Sequence, residues 1–149
     1  MAFVRCTSGA KEKKNVLYKD GVWNVAYDNP GSYTFGSNPT SNFTIGVDSL
    51  IGDTSHYNVI GTHDKIDVTN YSLLHFKAKR ITMAGDNCGY GCYTPSKTIN
   101  TSDSTSRALF GSVADFVDYV VDVSAQTEVY IAVTCSASRA CEVSEIYLT

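Results

Sequence analysis

An antiparallel β-sandwich or jelly roll is the fold class that the sequence predicts, and three observations predict it. Two segments alternate apolar and polar residues with a period of two. Further short stretches rich in β-branched and aromatic residues are separated by turn clusters of Gly, Pro, Asn and Asp. A chain of 149 residues, with three prolines and no repeat or long polar tract, fits a single domain around a single core.

Residues 1–14 are expected to be an irregular lead-in, with the charge cluster KEKK at Lys11 to Lys14 as a solvated approach to the first strand. The domain then runs over residues 15–149, its early strands being NVLYK, GSYTF and NFTIGV, spaced by KDG, DNPG and SNPTSN. In LLHFKAKRI, Leu74, Phe76 and Ala78 alternate with His75, Lys77 and Lys79, as in a strand with one face on a core and one toward solvent. The segment ALFGSVADFVDYV contains one stretch, SVADF, that resembles a capped helical turn. DYVVDV, TEVYIAVTC and EVSEIYL complete the set, with Val129, Ile131 and Val133 alternating with Tyr130, Ala132 and Thr134. Short strands at this spacing indicate a sandwich.

The formal charge of −3 and the absence of any basic run interleaved with aromatics leave nucleic acid without an electrostatic footprint. No apolar run approaches the length of a membrane span, and MAFVRCTSGA lacks the layout of a signal peptide, so a soluble chain without membrane insertion is expected.

Five cysteines raise the question of a metal or redox site. If CGYGC is a strand pairing with LLHFKAKRI across the turn AGDN, then Cys88, Tyr90 and Cys92 share one face and Gly89 and Gly91 the other. An extended strand holds the two thiols too far apart for a disulfide, so they read as small core residues. Cys135 and Cys141 lack the tight spacing of a zinc knuckle. They can close a last hairpin as a disulfide in an oxidising medium, but the odd cysteine count, with Cys6 left over, favours free thiols.

Catalytic patterns are thin. No two of His56, His63 and His75 have metal-ligand spacing, and His63 next to Asp64 reads as a loop histidine beside a turn aspartate. Carboxylates are scattered, and no nucleophile elbow, phosphate loop or dinucleotide fingerprint is present. A protein that is not an enzyme is expected. Ten tyrosines and one tryptophan, many of them in turns next to Asn, Asp and His, suit a sugar: the rings face its apolar side and the polar groups satisfy its hydroxyls.

The order NVLYKDGVW, IDVTNYSLLHFKAKRI and DYVVDVSAQTEVYIAVTCSASRACEVSEIYL resembles the galactose-binding-like jelly-roll modules of tail and baseplate proteins of phages that infect Gram-positive bacteria. The likeness covers roughly residues 15 to 149. It implies a carbohydrate-binding module that recognises cell-wall or surface saccharide from a virion, within a multimeric assembly. Cys88 and Cys92 depart from the family pattern. The loop NVAYDNPGSYTFGSNPTSNF has no family motif, so no binding residue is carried over.

The candidate ligand site therefore comes from the residues themselves. Trp23, Tyr27, Asp28 and Tyr33 in the first long loop, His56 and Tyr57 in the next, and Asp86 and Asn87 in the turn before CGYGC concentrate aromatic and polar groups at a loop end. Tyr93 joins them because it alternates away from the face of Tyr90. Related jelly rolls often hold a structural calcium, for which Asp20, Asp28 and Asp53 are the candidate ligands; no other cofactor or metal is expected. Two rivals stand beside this reading. One is a structural virion domain without a sugar site, and the other an extracellular accessory module of a secreted glycoside hydrolase.

Overall fold

The computed structural model describes residues 13–53, 57–81, 87–99, 105–111, 113–135 and 139–149. These residues form sixteen strands and no helix. In chain order they are β1 (Asn15–Lys19), β2 (Val22–Trp23), β3 (Tyr27–Asp28), β4 (Thr34–Phe35), β5 (Thr40–Ser41), β6 (Thr44–Ile45), β7 (Leu50–Ile51) and β8 (Tyr57–Thr62). They continue as β9 (Ile66–Asp67), β10 (Leu73–Arg80), β11 (Asn87–Thr94), β12 (Thr98–Ile99), β13 (Arg107–Gly111), β14 (Val117–Asp122), β15 (Glu128–Cys135) and β16 (Cys141–Leu148).

Two mainly antiparallel sheets pack face to face, the expected jelly-roll sandwich. The first runs β14-β10-β16-β1-β2, with β7 also on β16 and β6 on β7; the second runs β13-β11-β15-β8-β3, with β5 also on β8 and β9 on β15. A separate parallel pair, β4 and β12, belongs to neither.

Alternation in β10 buries Leu74, Phe76 and Ala78 in the core between the sheets, where they meet Phe110 on β13 and Ile131 and Val133 on β15. Burial of a side chain of this size contributes about 1.5–3 kcal/mol. In the second half of β15 the polar phase is buried too: Ala132 and Thr134 are as enclosed as Val133. The second sheet is therefore covered on both faces there.

Two corners carry the chain between the sheets by the same local chemistry. In Asp67-Val68-Thr69 and Asp122-Val123-Ser124, the carboxylate Oδ1 accepts from the backbone N–H and the hydroxyl two residues on, at 2.6–2.9 Å. Short polar side chains satisfy a turning backbone in this way. The valine between them is fully buried in both corners and anchors the turn to the core. These hydrogen bonds hold both carboxyls below their ordinary value.

Three sequence expectations change. The stretch 113–116 is non-helical, because the chain bends there directly from β13 to β14. β11 does not pair with β10, which lies in the opposite sheet; its neighbours are β13 and β15. A register shift between Asn87 and Gly89 turns Cys88 into the main core, while Tyr90 and Cys92 face the outside of the second sheet. A bulge reverses the facing of whatever precedes it. Gly91 faces inward, where a Cβ would lie 2.5 Å from the Phe76 ring.

Cys135 and Cys141 form a disulfide with Cα atoms 6.1 Å apart, where free thiols were the favoured expectation. It closes no hairpin of paired strands: β15 and β16 belong to different sheets, so the bridge ties one sheet to the other. Cys88 and Cys92 are free and buried, and burial pushes their thiols up to about 11 and about 12.

Candidate functional site

The outer face of the second sheet carries a small core of its own. Tyr90 and Cys92 on β11, Ala132 on β15 and Val59 on β8 are covered by Tyr33, just before β4, and by Phe35 and Ile99 from the β4–β12 pair. Phe35 stacks on Tyr57 with centroids 4.5 Å apart, and leans on Tyr90 at 6.2 Å. The backbone N–H of Thr34 donates to the Lys97 carbonyl at 2.9 Å, fastening the two covering segments together.

One side of this cover is pinned by charge. Lys97 Nζ donates to Asp28 Oδ2 at 2.6 Å, and His63 Nδ1 lies 2.8 Å from Asp28 Oδ1. The Lys97 ammonium also lies 5.6 Å from the Tyr33 ring centroid and 5.4 Å from that of Tyr130. Burial pushes the Asp28 carboxyl up, but the hydrogen bonds from Lys97 and His63 outweigh it and the net shift is downward.

Beside the cover lies a groove of about 350 Å³, within the range of small-ligand clefts. Tyr90, Cys92 and Ile99 form its buried floor, Tyr93 and Pro95 add more exposed apolar surface, and Thr94, Ser96, Thr98 and Ser106 contribute hydroxyl-bearing side chains. Arg107, at the start of β13, lies over Tyr90 with its guanidinium carbon 5.3 Å from the ring centroid. No carboxylate lines the groove among the described residues. Burial raises the Tyr90 phenol above its ordinary value.

Among the described residues, those predicted for a loop-end site do not form one cluster. Trp23 packs against the main core, with its ring centroid 5.2 Å from that of Tyr18 and 5.3 Å from that of Tyr27; its indole N–H is buried without an acceptor. Tyr27 is exposed, and Asp28, next to it on β3, holds the ion pair with Lys97. Tyr33 offers no ring to a ligand: it is 2% exposed and its hydroxyl donates to the Thr62 carbonyl at 2.7 Å. Tyr57 belongs to the edge of the small core, and Tyr93 borders the groove while packing against the main core. His56 and Asp86 lie outside the described residues, as does the Asn87 side chain. Of the calcium candidates, Asp20 sits in the β1–β2 turn with φ of 49°, and Asp28 is committed to Lys97 and His63.

Two histidines have partners that the sequence did not reveal. His63 pairs with Asp28 instead of its neighbour Asp64. His75, expected on a solvated face, stacks on Tyr147 with centroids 4.3 Å apart and planes at 8°. Its Nδ1 lies 2.9 Å from Asp118 Oδ2 and its Nε2 2.8 Å from Thr149 Oγ1. Lys77 and Lys14 share Glu145 on the same outer face of the first sheet. Arg107, Ser96, Thr98 and Ser106 of the groove were also missed. Of the groove's lining, the sequence singled out Tyr93 as a site residue, while Tyr90, two residues before Cys92, was read as core.

No family model and no curated protein matches the chain. Among solved structures, it is similar to a family 29 carbohydrate-binding module from Piromyces equi, with a TM-score of 0.53 and 17% identity over 91% of this chain and 88% of that one. It is also similar to a lysine-to-alanine variant of a second family 29 module, with a TM-score of 0.57 and 12% identity over 91% of each chain. At these identities the likeness establishes a shared fold, the β-sandwich jelly roll.

Proposed function

We propose that this protein is a non-catalytic carbohydrate-binding module whose ligand occupies the groove beside β11 and β12. The observation that carries the reading is the groove's composition: apolar surface from Tyr93 and Pro95 above a floor of Tyr90 and Ile99, rimmed by serine and threonine hydroxyls and one arginine, with no carboxylate in its described lining. Such a surface matches the apolar faces and hydroxyl edges of a sugar and supplies no acid–base pair for glycoside cleavage. Carbohydrate-binding modules with the same fold support it.

Within that reading, the resemblance of the DVTNY, VDVS and VYIAV segments to phage modules supports a tail or baseplate protein as the parent. The ligand is then cell-wall or surface polysaccharide of a Gram-positive host. Single-site affinity is modest, and display in a multimeric virion supplies avidity.

The test is binding of a fluorescently tagged, multivalent form to a panel of Gram-positive cells, with and without their surface polysaccharides. Binding that disappears with the polysaccharide is expected. Thr98→Trp, placed at an exposed position on the groove wall, is expected to abolish binding while the melting temperature holds. Undiminished binding by Thr98→Trp rejects the groove, and no binding by wild type across the panel rejects the module.

A second reading, a structural virion domain, is favoured by one feature. Leu109, Val113, Phe116, Val117 and Val120 are all exposed along β13, β14 and their connection, and such apolar patches mark protein-facing surfaces. It predicts no glycan binding at all.

A further inference from the structure

We infer that Asp28, which lies outside the described lining of the groove, is a positioning residue for it: its ion pair with Lys97 holds the wall formed by Ser96, Thr98 and Ile99 in the shape that binds saccharide. The inference rests on the saccharide reading of the groove and adds to it what sets the groove's affinity.

Lys97 stands in the chain between two residues that line the groove, Ser96 and Thr98, while its own side chain goes to Asp28 at 2.6 Å. Asp28 is fixed from the other side. It sits on β3 opposite Gly61 of β8, and its carboxylate also accepts from Ser32 Oγ at 3.3 Å and lies 2.8 Å from His63 Nδ1. The contact therefore runs from the groove wall to the edge of the second sheet. Both side chains are largely buried, Lys97 16% and Asp28 14% exposed, where an ion pair is screened less than on an open surface.

The wall has few other ties to the sheet. Thr94 Oγ1, at the end of β11, donates to the Ser96 carbonyl at 2.7 Å and secures the start of the segment. Further on, β12 pairs with β4 and with neither large sheet. Thr34 supplies the two contacts there, its N–H donating to the Lys97 carbonyl at 2.9 Å and its Oγ1 to Thr98 Oγ1 at 3.3 Å. Ile99 is held by packing in the small core. No ladder of the two main sheets fixes Thr98, so the charge-assisted bond of Lys97 is what links this stretch to β3. Polar groups that recognise a ligand need placement to within about 0.5 Å, and supports behind them set affinity without touching it.

Cys92 reports on the wall without any ligand, because it lies buried beneath the cover. Cys88, in the main core, is the control for loosening of the whole fold. Iodoacetamide labelling is followed with Cys92 alone (Cys6→Ser, Cys88→Ala) and with Cys88 alone (Cys6→Ser, Cys92→Ala). Asp28→Asn and Lys97→Met are each expected to speed Cys92 labelling about tenfold while Cys88 labelling holds. In the tagged, multivalent protein with its cysteines intact, the same substitutions should weaken binding to polysaccharide-bearing Gram-positive cells by about the same factor. Lys97→Arg, which keeps the charge, should recover most of both losses relative to Lys97→Met. Cys92 labelling untouched by either substitution, or Cys88 accelerating in step with it, overturns the positioning role, as does faster Cys92 labelling with undiminished cell binding. Those outcomes leave the saccharide reading standing, whereas no wild-type binding across the cell panel overturns both.

Discussion

Trp23 on β2, the edge of one sheet, stacks on Tyr27 on β3, the edge of the other, with ring centroids 5.3 Å and planes 19° apart. The pair closes the sandwich along that side, and Tyr18 backs the indole from the core. Trp23→Ala is expected to lower unfolding stability by roughly 2–3 kcal/mol, below the cost of a fully buried tryptophan because part of the ring is already wet. Urea unfolding measures this. Unchanged stability together with lost polysaccharide binding would return Trp23 to the ligand site.

The cross-sheet bridge between Cys135 and Cys141 closes a short loop. Reduction, or the Cys135→Ala/Cys141→Ala pair, is expected to cost about 2 kcal/mol, the chain-entropy value for a loop of this length. Melts with and without reductant read it directly. In a Cys6→Ser background the folded protein should show no thiol reactive toward Ellman's reagent, because Cys88 and Cys92 are buried and protonated. Rapid modification of either would contradict the packing described.

Gly91 is the floor under Phe76. An alanine methyl there would sit 2.5 Å from the ring carbons, and Phe76 is fully enclosed with nowhere to retreat. Gly91→Ala is expected to destabilise by about 1–3 kcal/mol. Adding Phe76→Leu should recover part of that loss, a coupling visible in a double-mutant cycle of unfolding midpoints. Additive effects would mean the two sites do not touch.

Acid should weaken the fold through its depressed carboxyls, the corner aspartates Asp67 and Asp122 together with two ion-paired groups. Burial pushes Glu145 up, but hydrogen bonds and charge from Lys14 and Lys77 bring it below its ordinary 4.5; Asp28 is likewise held below 3.8 by Lys97 and His63. Both bind protons less readily folded than unfolded. Their stabilisation is therefore complete above those ordinary values and is lost as pH falls through the depressed folded ones. Urea midpoints measured from neutral pH downward should decline in that window, and Glu145→Gln should make the decline shallower. A midpoint flat to pH 2 would remove these ion pairs from the account.

The strands that face one core were readable in the sequence because alternation is a local signal: Leu74, Phe76 and Ala78 are where their spacing puts them. The burial of Cys88 was readable too, but not its facing away from Tyr90 and Cys92, because one irregular residue before Gly89 reverses the facing of everything ahead of it. Nor was the cover over Tyr90. β4 and β12 lie more than sixty positions apart, are two residues each, and bury Tyr33 and Phe35 against a sheet face that alternation alone assigns to solvent. The groove suffers from the same blindness, since Tyr90 and Arg107 meet only through the β11–β13 ladder. Loop aromatics such as Trp23 and Tyr33 advertise a platform by type, and whether they are one depends on what packs above them.

The strand order also dictates when the chain can fold. β16 sits between β10 and β1 in the first sheet, and β15 between β11 and β8 in the second. Each sheet is thus organised around one of the two strands that come last in chain order among the described residues. A nascent chain that has emerged only through β14 has the flanking strands of both sheets and the hub of neither. Its long-range pairings wait for Glu128 onward, so its exposed strand edges depend on slow synthesis being followed by prompt closure. Closure of this domain therefore waits for its β15 and β16, and is completed when they take their places and Cys135 reaches Cys141.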